Sequence, residues 1–301
     1  MALFLLLSGV GQGFAEEEGR WEIGIVGGLY KPSLKTLNRI LSDPSLALLQ
    51  DPNNQLQPNI LFTPEARNLE VPSYKIDRAF GVEVAREINR RNAFLMTLNL
   101  WEGETIGNDI APQITTTAAT DFKDVPRNSR YDISITNLWL GWRYHIPLGS
   151  EKSRVYIDIG LIGLAYAQMT VDTLLKVTTP VAQAFPVASS LEATGWGLTS
   201  RWGFGGEYFL KKWIAISFRT SYIVGRVPKM KVRRFFPSGF STPPEPEAGT
   251  DLQPRPVPGE VLTYANVKRG GTPNDEIRSN VKTLPLELNG IEGMIGIHFY
   301  F

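Results

Sequence analysis

The 301-residue chain contains no cysteine, which excludes disulfide frameworks, thiol catalysis and cysteine metal sites. Histidine is scarce, because His145 and His298 are the only two, and little is left for a histidine-built metal or catalytic centre. Neither sign of charge dominates: 31 Lys and Arg face 30 Asp and Glu, so there is no basic field for nucleic acid. After residue 15, no apolar run approaches the roughly 18 residues of a membrane helix. We therefore expect no cofactor, no nucleic-acid partner and no helical membrane protein.

The first residues have features of an export signal. Leu3–Leu7 forms a short apolar core, and small residues precede a cleavage site after Ala15. A polar segment, Glu16–Glu18, would then begin the mature chain. We expect residues 1–15 to be a cleaved signal peptide and residues 16–301 to form one domain of a bacterial envelope protein. A buried N-terminal strand or helix is the alternative.

Hydrophobic residues alternate with small or polar residues through eight segments, and this period of two predicts β-strands. In the last segment, residues 290–301, one face is mainly isoleucine and phenylalanine, whereas the other holds Gly, Glu, Met, His and Tyr. The seven earlier segments begin near Trp21, Phe80, Ala93, Tyr131, Val155, Trp196 and Ile214.

The second face of these strands differs from a water-exposed surface. It consists mostly of Gly, Ala, Ser and Thr with isolated charges, and it lacks a high density of Lys and Glu. The apolar face carries Trp and Tyr near strand ends, as in an aromatic girdle at a lipid–water boundary. Because side chains nearly fill an eight-stranded barrel, small inward residues fit its interior. The pattern predicts a membrane β-barrel with its apolar face outward.

Long and short connections between the strands alternate. The long connections are predicted at residues 31–78, 103–130, 171–192 and 228–283. The short turns are predicted at residues 89–92, 147–153 and 211–212. Short periplasmic turns and long extracellular loops are typical of outer-membrane barrels whose two termini are periplasmic. We predict an all-β, antiparallel, up-and-down barrel of eight strands in the outer membrane, or ten if part of a long loop pairs.

The C-terminal segment carries a family resemblance. Its alternating apolar residues, Ile295, Ile297, Phe299 and Phe301, end in phenylalanine. In this respect the chain resembles the small eight-stranded outer-membrane β-barrels, the class of the OmpA transmembrane domain and the OmpW-like proteins. The resemblance implies that these four residues are the assembly signal and that the barrel-assembly machinery is a transient partner. The class is functionally mixed, so the resemblance implies location and fold rather than activity.

The first long loop contains two short apolar stretches. Leucine and isoleucine recur at helical spacing after Ser33, a candidate N-cap, and Leu46–Leu49 follows. We expect a pair of short helices packed on the barrel mouth, with a gating lid over the lumen as the alternative. Later in the chain, residues 237–258 form a Pro-rich external loop. The preceding basic cluster is either a solvated hairpin or a contact for lipopolysaccharide phosphates; it contains Lys229, Lys231, Arg233 and Arg234.

Seven charged residues fall on the inward face of the predicted strands. They are Glu83, Arg143, Asp158, Arg201, Glu207, Arg219 and Glu292. A charge in a narrow, low-dielectric interior needs a partner, because its desolvation is otherwise costly. We expect a structural salt-bridge plug, or a gated path in which rearranged pairs admit small solutes. Arg201 and Glu292 are expected to form a salt bridge or a water-bridged contact across part of the lumen.

No predicted external loop contains histidine, so serine chemistry there would lack a base. We therefore expect a non-enzymatic protein that supports envelope structure, with passage of small or apolar solutes as an added role. Surface adhesion or partner recognition through the long loops is the alternative, and an outer-leaflet lipid-modifying enzyme is a remote one. The expected partners are outer-membrane lipids, lipopolysaccharide and an unidentified extracellular ligand.

Overall fold

A computed structural model describes residues 19–43, 45–49, 73–111, 114–115, 121–122, 125–146, 152–178, 184–238, 259–269 and 276–301. Strand follows strand almost throughout, with one short helix. In chain order the elements are β1 (Trp21–Pro32), α1 (Lys35–Ser42), β2 (Leu46–Leu49), β3 (Asp77–Asn89), β4 (Asn92–Ala111), β5 (Ile114–Thr115), β6 (Asp121–Phe122), β7 (Val125–Ile146), β8 (Ser153–Thr178), β9 (Ala184–Lys211), β10 (Ile214–Val227), β11 (Lys231–Ser238), β12 (Thr263–Arg269), β13 (Glu276–Thr283), β14 (Leu286–Glu287) and β15 (Gly290–Tyr300). Within the described part of the chain, no helix combines the length and hydrophobicity needed to cross a membrane.

Eight long strands form a closed antiparallel ring, which confirms the predicted barrel. Each strand pairs with the next in the order β1, β3, β4, β7, β8, β9, β10 and β15, and β15 pairs with β1 to close the ring. The first and last residues of the ring are also joined, because the backbone groups of Trp21 and Phe301 exchange hydrogen bonds of 2.9 and 3.2 Å. The short strands β11 and β14 add to β9 and β10 without entering the ring.

The register defines the stagger of the barrel. A path from Lys31 that steps from each residue to its partner on the next strand passes through Ile291, Tyr222, Trp202, Ile159, Trp142, Phe94 and Arg86. It returns to β1 at Trp21, ten residues nearer the N-terminus. Ten residues over eight strands correspond to a step of about 1.25 residues per strand and a strand tilt of roughly 40°.

The outward face of the ring is apolar through its middle. Large hydrophobic side chains there are 37–72% exposed, with Leu198 at the upper end of this range. Aromatic residues lie at the end that carries the termini, among them Trp21, Trp142, Tyr208 and Trp213. We call this outward surface the apolar belt. Its exposure would be costly in water and suits contact with lipid.

Several strands continue far beyond the apolar belt, where loops were predicted. β4 and β7 occupy most of residues 103–130, while β8 and β9 reach Thr178 and Ala184. Backbone pairing continues in these hairpins, but polar residues such as Glu102 and Glu104 take outward positions, so the apolar alternation is interrupted. A hairpin that projects into water needs no apolar outward face. Its strands therefore cannot be predicted from an alternation of apolar residues.

The predicted second helix in the first loop is wrong. Leu46–Leu49 forms β2, which pairs antiparallel with β12. Four residues make barely one helical turn, whereas pairing with β12 satisfies their backbone groups. The predicted signal peptide and residues 239–258 of the Pro-rich segment lie outside the described residues.

Candidate functional site

Arg143 lies at the centre of a cluster of charges in the half of the lumen nearest the termini. Its side chain projects inward from β7 and is fully buried. Nε and Nη2 donate to the two carboxylate oxygens of Asp158 at 2.8 and 3.0 Å. The Nη atoms also donate to Glu22 at 2.5 Å, to Glu83 at 2.9 Å and to Glu207 at 3.3 Å. One guanidinium therefore binds four carboxylates from four different strands.

Arg219 extends this cluster toward the middle of the barrel. It forms ion pairs with Glu83 and with Glu292, the latter at 3.0 Å. The second oxygen of Glu292 accepts a hydrogen bond from the Asn99 amide at 2.5 Å. Charge-assisted contacts of this kind stabilise buried carboxylates that have lost their water.

Arg201 is held mainly by neutral groups. It donates to the Thr97 hydroxyl at 3.0 Å, and its guanidinium lies 4.9 Å from the centre of the Trp139 ring. Its nearest carboxylate oxygen, on Asp158, is 3.9 Å away. Arg201 therefore marks the boundary between the charge cluster and the apolar interior above it.

His298 joins the first and last strands within the cluster. Its Nδ1 atom lies 2.5 Å from Glu22 and 3.5 Å from Glu207. The Nε2 atom is 2.9 Å from the Ser217 hydroxyl, and the Tyr300 hydroxyl donates to Glu207 at 2.6 Å. A doubly protonated imidazole could donate to both Glu22 and Ser217.

The cluster contains more acids than guanidiniums. Its five carboxylates are Glu22, Glu83, Asp158, Glu207 and Glu292, and each residue is at most 3% exposed. Arg143, Arg201 and Arg219 supply three positive charges, so a proton on His298 reduces the imbalance.

Three of these groups could also be considered for a metal ion. Ligand atoms of Glu22, Glu207 and His298 lie within 4.8 Å of one another. However, the Arg143 guanidinium already contacts Glu22 and Glu207 at 2.5 and 3.3 Å, which places positive charge between the two carboxylates. These residues therefore fit a proton better than a metal ion.

All seven lumen charges named from the sequence project inward and are at most 3% exposed; they are Glu83, Arg143, Asp158, Arg201, Glu207, Arg219 and Glu292. The expected Arg201–Glu292 ion pair is not formed, because Arg219 on the strand next to Glu292 takes its place. Glu22 was not identified from the sequence as a lumen residue. It stands two residues before Gly24 and four before Val26 on β1, so its side chain points to the same, inward face.

The other half of the lumen is filled by an apolar core. Residues Leu34, Leu37, Ile40 and Leu41 of α1 and its N-terminus are at most 3% exposed. They belong to one buried cluster with apolar side chains of the barrel wall and of the segment before β15, among them Tyr30, Trp101, Leu284, Leu286 and Leu288. The helix predicted on the barrel mouth is therefore present, and its apolar face closes the mouth.

A distant carboxylate holds α1 in place. The predicted cap Ser33 is replaced by Leu34, whose backbone is left-handed at φ 40° and ψ 37° and which makes no side-chain cap bond. Instead, the Glu287 carboxylate accepts hydrogen bonds from the Thr36 amide at 3.0 Å and from its hydroxyl at 2.6 Å. A negative group near a helix N-terminus is favourable, so Glu287 anchors the helix to β14.

Tyr74 packs over the same mouth. Its backbone amide donates to Asn38 on α1 at 3.0 Å, and its hydroxyl donates to the Tyr131 carbonyl at 2.9 Å. Burial raises the pKa of the Tyr74 phenol, so the group remains a hydrogen-bond donor. Tyr74 therefore links α1 to β7.

Comparison with solved structures finds outer-membrane β-barrel proteins. The chain is similar to OprG of Pseudomonas aeruginosa at 11% identity, over 95% of this chain and 98% of that one, with a TM-score of 0.42. It is also similar to Ail of Yersinia pestis in complex with the heparin analogue sucrose octasulfate, at 10% identity, over 94% and 99% of the two chains, with a TM-score of 0.32. Neither a protein-family model nor a curated protein matches the chain. The general class of the fold, an eight-stranded barrel, follows from the closed ring itself.

Proposed function

We propose that the protein is an integral, non-enzymatic β-barrel of the Gram-negative outer membrane, related to the OmpA-like and OmpW-like class. In this proposal its signal peptide is removed, both termini are periplasmic, and its main role is structural. The observation that carries the proposal is a membrane-suited barrel whose described interior is filled by a charge cluster at one end and an apolar core at the other.

The filled interior favours a structural role over passage of solutes. A conducting barrel needs a continuous polar path, yet Arg143 and its four carboxylates are joined by direct ion pairs. Above them, the inward face of α1 and the side chains packed against it are buried and apolar. Passage of a small or apolar solute would require both layers to rearrange, so it is a secondary role in this proposal.

Planar-bilayer recording of refolded protein tests the closed lumen. We expect the wild-type protein to show near-zero conductance. Replacement of residues 35–42 by a short glycine–serine linker should also leave the pore closed, because the charge cluster remains. Adding Arg143→Ala to that replacement should produce openings. A steady conducting state in the wild-type protein would contradict the structural role.

Cell fractionation tests the location separately. We expect the protein in outer-membrane fractions and a heat-dependent shift in its gel migration, as for closed barrels that resist unfolding. A soluble periplasmic protein without this shift would contradict the membrane assignment.

A second candidate function is partner recognition by the strands beyond the apolar belt. β8 and β9 contain 26 and 28 residues, against 12 in β1, so their hairpin projects far past the belt. Replacing residues 173–189 by a tight turn should preserve membrane insertion and lower adhesion of cells that display the protein. Unchanged adhesion would remove this candidate.

A further inference from the structure

Three outward-facing cations lie directly beyond the apolar belt at the end opposite to the termini. They are Lys31 on β1, Arg78 on β3 and Arg226 on β10, and all three are exposed. The neighbouring outward residue on the belt side is apolar in each case, namely Leu29, Phe80 and Val224. We call Lys31, Arg78 and Arg226 the cationic arc.

The stagger of the barrel places these cations at almost the same height. Arg78 pairs with Leu29, two residues before Lys31, so Arg78 and Lys31 are diagonal neighbours about 7–8 Å apart. Lys31 leads through its partners to Tyr222, four residues before Arg226. With about 1.25 residues of stagger per strand, Arg226 lies roughly 4 Å above Lys31 along the barrel axis and about 16 Å from it.

The cationic arc is not neutralised by the described part of the chain. There, Lys31, Arg78 and Arg226 form no ion pair. Two neighbouring acids have other partners. The Asp77 carboxylate accepts from the Arg78 backbone amide at 2.8 Å. Glu287 lies opposite Arg226 in the strand register, but its two carboxylate oxygens accept hydrogen bonds from Thr36. Positive charge without an ion-pair partner is therefore carried by β10, β1 and β3, with β15 lying between β10 and β1.

The outer wall next to the cationic arc is different. A crease of about 570 Å³ begins at Arg78 on β3 and continues over β4, β7 and β8, and it is lined by four acids and by Arg78 and Arg130. Arg130 in this crease is already paired, with Glu104 at 3.3 Å and with Asp132 at 2.9 Å. The rim therefore changes from basic on β10 and β1 to acidic on β4 and β7, and Arg78 on β3 lies at the boundary.

We infer that the cationic arc binds the phosphorylated headgroup of an outer-leaflet glycolipid of the lipid A type. Phosphate groups match unpaired Lys and Arg side chains in charge and hydrogen bonding. The apolar wall below, which includes Leu29, Phe80 and Ile291, would contact the acyl chains, so the site suits an amphiphile rather than free phosphate. This inference rests on the proposed membrane location and adds a specific lipid to it.

Binding of defined lipids to the refolded full-length protein tests the inference. Native mass spectrometry would measure the binding of bisphosphorylated lipid A, dephosphorylated lipid A and phosphatidylglycerol. Each cation near an anionic lipid surface contributes about fivefold in affinity, so Lys31→Gln/Arg78→Gln/Arg226→Gln should weaken lipid A binding by up to about 100-fold. With dephosphorylated lipid A, the triple variant and the wild-type protein should bind with equal affinity.

A matched control removes the same charge at the opposite rim. Arg86→Gln/Lys211→Gln/Lys212→Gln alters three cations near the termini, two of which lie over the rings of Trp21 and Trp213 at 5.4 and 5.6 Å. We expect this variant to bind lipid A within twofold of wild type, and both triple variants to retain heat-dependent gel migration, which shows that the barrel is intact.

Three outcomes would overturn the inference. The first is equal loss of lipid A binding in the two triple variants, and the second is equal affinity for phosphatidylglycerol. The third is displacement of lipid A by millimolar inorganic phosphate, which would indicate a simple anion patch. Any of these with an intact, membrane-inserted barrel would leave the proposed function standing.

Discussion

Replacing Arg143 with methionine should be among the most damaging single changes in the lumen. Methionine keeps much of the length of the side chain and removes its charge. It leaves Glu22, Glu83, Asp158 and Glu207 without the guanidinium that contacts them at 2.5–3.3 Å. The effect therefore reports on loss of positive charge more than on loss of volume.

The expected cost follows from burial. Removing one partner of a buried ion pair typically costs about 3–5 kcal/mol, because an uncompensated charge is left behind. The side chains of Arg143 and its four partners are at most 1% exposed, so Arg143→Met should lower the free energy of unfolding by at least that amount. The control for comparison is Arg154→Met at the rim, where Arg154 is 27% exposed and pairs with Glu87, which is 3% exposed. It should cost less than Arg143→Met, because one carboxylate instead of four loses its guanidinium and water reaches the site.

Urea titrations of the barrel refolded in lipid vesicles measure both effects. A cost of Arg143→Met no larger than that of Arg154→Met would refute the central role of Arg143.

Three further changes test other parts of the barrel. Ile216→Arg places a charge on the outward face, where Ile216 is 44% exposed, and should cost about 2–4 kcal/mol in vesicle refolding, whereas the inward Ser217→Arg should fail through crowding at any lipid thickness. Deleting Phe301 should lower outer-membrane insertion in cells, and normal yield with heat-dependent migration would contradict its role as an assembly signal. Glu287→Gln weakens the anchor at Thr36 and should speed amide exchange in α1 without changing exchange in β1 or β15; uniform exchange rates would show that the anchor is unimportant.

The barrel strands could be predicted because lipid imposes an unusual pattern. In β10, apolar Ile216 and Phe218 alternate with Ser217 and Arg219, and the structure places the first pair outward and the second inward. Beyond the apolar belt this constraint ends. Glu102 on β4 is exposed, and the same backbone pairing there carries no regular apolar alternation.

The inward position of the charged residues could be predicted from the alternation along each strand. The residues with which they form ion pairs could not. Pairing depends on the stagger of the whole barrel, which sets Arg219 beside Glu292 and leaves Arg201 near Thr97. The helix predicted at Leu46–Leu49 is wrong for another reason. A short apolar segment fits a helix or a strand equally well, and here its pairing with β12 decides.

The contact between Glu22 and His298 has a consequence for assembly. These residues are 276 positions apart and share a hydrogen bond inside the cluster that Arg143 completes. A chain that lacks its last strand cannot finish this cluster, so its inward carboxylates must remain hydrated. Closure of β1 against β15 is therefore also the step that removes water from the lumen, and a truncated chain stays open and polar at its seam. Pairing between residues so far apart in the chain makes folding slow. It also makes a finished barrel physically different from an unfinished one, and an assembly factor could detect that difference.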